Sequence, residues 1–249
     1  MAFTPRPEWT LDHGAVVRAD RSQRTIALIF TGGDYGEGTP VILDALRDRG
    51  IRASFFVTGQ YVKTPQYRPW LRRMVSEGHY LGPHSDAHLL YCDWEDRSRT
   101  LVTREQFEQD LQANMDALRA LGALRGPGPV YFIPPYEWFN ENQVRWAAEM
   151  GVVLFNFTSG TGSNRDWAPE GHRAFVPSRT IARDILAYEQ REPDGLNGFL
   201  LLLHLGSLRE DKMHPHIGPL LDALLERGYR FVRVDELLGS RESRPANAK

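Results

Sequence analysis

Seven short apolar runs, each closed by turn residues and parted from the next by an amphipathic stretch, constrain this chain more than any other feature. They cover residues 26–30, 53–58, 79–82, 130–133, 152–157, 199–204 and 229–234. Their hydrophobicity is continuous and does not alternate, which is the pattern of strands buried on both faces of a parallel sheet. The helices between them carry end signals. Thr39 and Pro40 open PVILDALRDRG, which stops at Gly50, and WLRRMVSEG stops at Gly78. Thr103 and Gln106 have capping-box spacing ahead of an apolar face of Phe107, Leu111, Met115, Leu118 and Leu121, and Asn140 caps NENQVRWAAEMG. Residues 178–189 and 217–227 complete the set. Strands alternating with helices imply an α/β fold with a mostly parallel sheet. An open doubly wound sheet fits the same pattern, but no dinucleotide or phosphate fingerprint marks a switch point, so a closed or nearly closed barrel is favoured. One domain is expected over residues 25–238, after an N-terminal extension (1–24) and before a disordered tail (239–249).

A formal net charge of -2 over 249 residues argues against a nucleic-acid binder or a basic membrane-surface protein. The single cysteine, Cys92, rules out an internal disulfide. MAFTPRPEWTLDHG has no apolar signal core, and no run reaches the length of a membrane span. The expectation is a chain that is cytoplasmic as written, or periplasmic or secreted if it is a mature form, with no membrane insertion.

In a parallel α/β protein the chemistry gathers at the C-terminal ends of the strands. Those positions hold Asp34, the stretch PHSDAH (83–88), the stretch PPYEW (134–138), Asn156 with Thr158, and His204 after four leucines. His84 and His88 are four apart, so on one helical turn their rings would share a face and chelate one metal ion. A carboxylate from a neighbouring strand end would complete a site with open positions, and Asp34 is the nearest candidate. The long loop 159–177, with Asn164, Arg165 and Trp167, is expected to be a functional cover or a mobile segment. His214 and His216, flanking Pro215, read as a polar loop of low metal-binding promise.

With these residues in view, the chain resembles the polysaccharide deacetylase family, also called the NodB-homology fold. The resemblance rests on IFTGG with Asp34 for the first motif and on intact His84-Ser85-Asp86-Ala87-His88 for the second. Ile133-Pro134-Pro135-Tyr136 stands for the third, and Leu200 to His204 for the last leucine-rich strand. It implies a distorted (β/α)7 barrel and a hydrolase that removes N- or O-acetyl groups from sugars with a divalent metal, zinc first. The metal would lie on His84, His88 and Asp34. The backbone N–H of Tyr136 would hold the oxyanion, and His204 would act as general acid. Trp94 and Trp138, with Asn156, would contact an acetylated sugar or polysaccharide.

The departures from the family pattern are joint. The usual general base falls on Thr31, the usual metal aspartate on Gly32, and the arginine that pairs with the base on Ile133. Losing the arginine with its carboxylate makes electrostatic sense, because a lone buried guanidinium is costly. Glu137 is the candidate for a relocated base, with Asp86, Glu37 and Asp34 itself as rivals. The surrounding glycines are expected to give the turn the freedom to swing Asp34 back toward the metal. Two other readings stay open: a lapsed, carbohydrate-binding member of the fold, and a hydrolase of another non-peptide C–N bond.

Overall fold

The computed structural model describes residues 3–126 and 128–239. The expected tail therefore lies, from residue 240 onward, outside the described residues. A hairpin of β1 (Thr10–Asp12) and β2 (Ala15–Arg18) comes first. The alternation then runs β3 (Thr25–Gly32), α1 (Thr39–Arg47), β4 (Ser54–Val57), α2 (Gly59–Lys63), α3 (Arg68–Ser76) and β5 (Tyr80–Pro83). It continues with α4 (Arg104–Ala120), β6 (Val130–Phe132), α5 (Glu141–Glu149) and β7 (Val152–Leu154). It closes with α6 (Ser178–Arg191), β8 (Phe199–His204), α7 (His214–Glu226), β9 (Arg230–Val232) and α8 (Val234–Leu237). All seven apolar runs form strands, and β3 to β9 pair only in parallel among the described residues.

β3 is the centre of the sheet and is buried along its whole length. It pairs with β8 on one edge; β4 and β9 take the two ends of the other, and β5 extends β4. Side-chain alternation divides its residues between two cores. Ile26, Leu28 and Phe30 join the layer of α1, α3, α6 and α7, while Ala27 and Ile29 join Leu200, Leu202, Phe56, Tyr131 and Phe155 inside the barrel. Truncating Leu28 to Ala would cost about 2–5 kcal/mol, since no solvent reaches it to fill the cavity.

The barrel closes by side chains where ladders are missing, which is its distortion. Between β5 and β6 the Tyr80 hydroxyl accepts the Tyr131 N–H at 2.8 Å and donates to the Tyr131 carbonyl at 3.4 Å. Between β7 and β8 the gap is filled by β2 and Thr158. The Asn156 N–H donates to Val16 O, the Thr158 N–H to Leu200 O, and the Thr158 hydroxyl accepts from the Leu200 N–H. The hairpin, in the segment read from sequence as an extension, thus supplies a stave beside Asn156, with Val16 and Ala19 in the barrel core.

Two local expectations are corrected. The histidine stretch after β5 is not helical; Ser85 and His88 adopt positive φ (74° and 55°), and the chain turns through a tight loop. His214 and His216 open α7 and do not lie in a polar loop, because Pro215 suits the first turn of a helix.

Candidate active site

A cavity of about 960 Å³ opens where β3, β4, β5 and β8 end. Thr31, Asp34, His84, His88, Trp94, Tyr136, Glu137 and His204 all line it. A larger hollow, of about 1320 Å³, lies at the opposite end, where β5 and β6 begin, and holds neither paired histidine.

Helix α4 fixes the histidine loop. Asn114 Oδ1 accepts the His84 N–H at 2.9 Å, and Asp110 accepts from the Ser85 hydroxyl (2.5 Å) and the Ala87 N–H (2.7 Å). The Ser85 hydroxyl in turn takes the His88 N–H at 2.9 Å. These bonds hold the positive-φ turn that brings the two rings to 5.1 Å between centroids. The loop therefore does what a helical turn was expected to do. Asp110 and Asn114 stand on the apolar face of α4, and a polar pair inside such a stripe was the sequence signal for this role.

His84 Nδ1 lies 2.8 Å from Ile133 O, which can only accept, so the proton sits on Nδ1 and Nε2 keeps its lone pair. Burial holds the His84 imidazole well below its ordinary value; burial, opposed by Asp34 and helped by His204, leaves His88 at about 4. Both rings are therefore neutral donors at physiological pH. That chemistry fits two ligands of a divalent ion, with Ile133 O orienting the first from behind. A third ligand is not drawn in: among the described residues no three His, Cys, Asp or Glu side chains converge to hold a metal ion. Asp34 is exposed at the rim, near enough to His88 to favour its charged form.

The glycines around Asp34 serve packing and not freedom. None of Gly32, Gly33, Gly36 and Gly38 has positive φ. A Cβ on Gly32 would lie 2.7 Å from Leu205 Cδ1, one on Gly36 2.6 Å from Tyr61 Cε2, and one on Gly38 2.8 Å from Leu205 O. An aspartate at position 32, where the resemblance puts the family's metal ligand, would press on Leu205 and Tyr61. Ile133, in the arginine's place, is fully buried in the barrel core.

Glu137 reaches the cavity from a turn in which Tyr136 and Glu137 both have positive φ (59° and 53°). The turn's hydrogen bonds run from Glu137 N to Pro134 O and from Trp138 N to Pro135 O, and pass over the Tyr136 N–H. Glu137 Oε1 lies 4.0 Å from His84 Nε2. Burial pushes its carboxyl up to about 7; His204 pulls it down and Asp166 adds to the rise. Two of the three rivals are engaged elsewhere. Asp86 pairs with Lys63 at 2.8 Å, and Glu37 accepts from Lys212 (2.5 Å) and the Ser207 N–H (3.1 Å).

His204 is the last residue of β8, opposite Thr31 in the parallel register. Asp166, 2% exposed, holds it with both oxygens: Oδ1 takes Nδ1–H at 2.6 Å and Oδ2 the backbone N–H at 2.9 Å. Sequence reasoning singled out Asn156 and Thr158 among the strand ends and missed Asp166. It lies in a 3-10 turn (Ser163–Trp167) within the loop expected to be a cover. That loop packs down on β8, and an acid in its middle was the available signal.

Two expected sugar contacts are structural. Asn156 is buried and absent from the cavity wall; its Nδ2 donates to Glu137 O at 2.7 Å and its Oδ1 accepts the Phe157 N–H. It steadies the Glu137 turn. Trp138 stacks beneath Trp94 at 5.7 Å and donates Nε1–H to Asp93 O, so Trp94 alone of the pair faces the cavity. Tyr136, 45% exposed, lies 4.4 Å from the His88 ring.

Comparisons with known proteins bear on the family and the fold. The sequence profile described as Polysaccharide deacetylase matches residues 18–155. An uncharacterized 30.6 kDa protein of Geobacillus stearothermophilus is 32% identical over 226 residues, which cover 91% of this chain and 75% of that one. A peptidoglycan-N-acetylglucosamine deacetylase of Bacillus cereus is 28% identical over 220 residues, 87% of this chain and 89% of that one. The fold matches Bacillus subtilis PdaA, a family 4 carbohydrate esterase, with a TM-score of 0.72 at 23% identity, over 90% of this chain and 84% of that one. The chain belongs to the polysaccharide deacetylase family, and its architecture is the family's distorted barrel.

Proposed function

We propose that this chain removes acetyl groups from an acetylated polysaccharide through a rewired centre, with N-acetylglucosamine units of the kind named for the Bacillus cereus relative as the first substrate to test. One observation carries the reading. Neutral His84, the Glu137 carboxyl 4.0 Å from it, and His204, gripped from behind by Asp166, face one cavity whose two family acids are gone.

His84 and His88 would hold the divalent ion, zinc first, with Asp34 at the rim as the candidate third ligand. Bound there, the ion would polarise an acetyl carbonyl and lower a water's pKa from about 15.7 toward ~7. Glu137, poised near neutrality, takes the proton from the attacking water. The Tyr136 N–H, left out of its turn's bonding, donates to the developing oxyanion. His204, whose protonated form Asp166 favours, delivers a proton to the leaving amine or alcohol. Trp94, backed by Trp138, offers a flat face to a sugar ring. Acetate release from N-acetylglucosamine oligomers, with and without added zinc, tests this reading.

A second reading has one observation in its favour: the absence, among the described residues, of a converged third metal ligand. On that reading the chain binds carbohydrate and does not hydrolyse it. Sugar binding without acetate release would support it.

A further inference from the structure

We propose that Arg209 is a positioning residue for the acid pair: it locks the turn that carries Asp166 and so sets how Asp166 grips His204. The inference rests on reading His204 and Asp166 as that pair.

The Arg209 side chain is 0% exposed, although Asp211, its charged partner at 3.3 Å, is 40% exposed. An arginine needed only for that ion pair would remain at the surface. Instead the guanidinium is spread over carbonyls. Nη1 donates to Arg165 O at 3.3 Å and to Ala168 O at 3.1 Å. Nη2 donates to Val176 O at 2.6 Å and to Ser178 Oγ at 3.2 Å, and Nε donates to Asp211 O at 2.9 Å. The Phe175 ring covers the group at 4.6 Å.

These contacts have an order. Residues 165 and 168 bracket Asp166, and a single nitrogen grips both of their carbonyls. Val176 and Ser178 lead into α6, and Asp211 lies in the loop between β8 and α7. His204 ends the strand from which that loop departs. One planar fork therefore ties the carrier of the carboxylate to the carrier of the imidazole. A lysine has three donors on one point and no fork, so it cannot span these carbonyls together. The titratable groups that face His204 are Asp166, Glu137, His84 and His88. Arg209 touches none of them and acts only through the turn.

The test is Arg209→Lys in the full chain, in wild-type and Asp166→Asn backgrounds. The readouts are the His204 titration by NMR, with kcat and KM measured separately. In wild type the substitution is expected to lower kcat tenfold or more, leave KM within twofold, and move the His204 titration down toward an ordinary imidazole. In Asp166→Asn it should change kcat less than twofold, because the grip is already broken. Equal losses in both backgrounds, or lower thermal stability with the His204 titration unmoved, would overturn the proposal. Should Arg209→Lys fail to fold, Ser178→Ala removes one acceptor in the same design and must move the titration in the same direction; an unmoved titration overturns the proposal. The titration needs no turnover. A chain that releases no acetate, yet whose His204 responds to Arg209→Lys, upholds the positioning role while the hydrolytic reading fails.

Discussion

Asp166 holds His204 at two points, ring Nδ1 and backbone N–H, at 2.6 and 2.9 Å. Burial alone would depress the imidazole, but the charge and hydrogen bond of Asp166, with the charge of Glu137, leave it above the ordinary 6.5. A raised folded value stabilises the fold fully below about pH 6.5, and that contribution is lost as pH climbs through the raised value. Asp166→Asn should return the His204 titration toward 6.5, lower kcat by roughly 10²–10⁴ with little change in KM, and remove this acid-side stability. NMR titration and steady-state kinetics check it; an unmoved titration would contradict the pairing.

Glu137 gives the same direction of pH dependence for a different reason. Its carboxyl rises from 4.5 to about 7 on burial, so the folded state keeps a proton that the unfolded chain releases between those values. Stability therefore falls as pH rises through that window, by at most roughly 3 kcal/mol. Urea unfolding of the metal-free protein should show Glu137→Gln more stable than wild type at pH 8 and equal to it near pH 4. Equal stability at both would mean that the carboxyl is solvated.

His79 tests acid sensitivity far from the site. Its side chain is 2% exposed, its Nδ1 accepts the Ala53 N–H at 3.1 Å, and burial takes it from 6.5 to about 4. Between those values the unfolded chain binds a proton that the native ring refuses. Stability is thus lost as pH drops from 6.5 to 4, by up to roughly 3 kcal/mol. His79→Gln should lose less stability than wild type between pH 7.5 and 5. Matching losses would assign the acid sensitivity to other groups.

Zinc affinity separates the candidate ligands. Calorimetric titration at pH 7.5 should show His84→Ala weaker by at least roughly 100-fold and Asp34→Asn by roughly 10-fold or more, beyond or within the range that supporting residues alone produce. Unchanged affinity in Asp34→Asn would dismiss that carboxylate as a ligand.

Much of this was legible in the residues, for identifiable reasons. Short continuous apolar runs such as LLLL, closed by turn residues, have the length and flanks of doubly buried strands, so the seven strands could be read from the sequence. The pairing of His84 with His88 was read correctly as proximity but wrongly as a helical turn, because the bonds that make the loop come from Asp110 and Asn114, some 25 residues away. Asp166 and Arg209 were missed because their meaning depends on loop 159–177 folding back over β8, which local periodicity does not encode. Asn156 and Trp138 face a neighbour and not the cavity, a distinction settled only by packing.

The most direct measurement is acetate released from an N-acetylglucosamine oligomer by zinc-loaded wild type and Glu137→Gln of equal zinc affinity. The account predicts turnover by wild type and a rate lower by roughly 10²–10⁴ in the variant, the loss expected on removing a general base. Acetate release at equal rates from both proteins, or none from wild type, would contradict it.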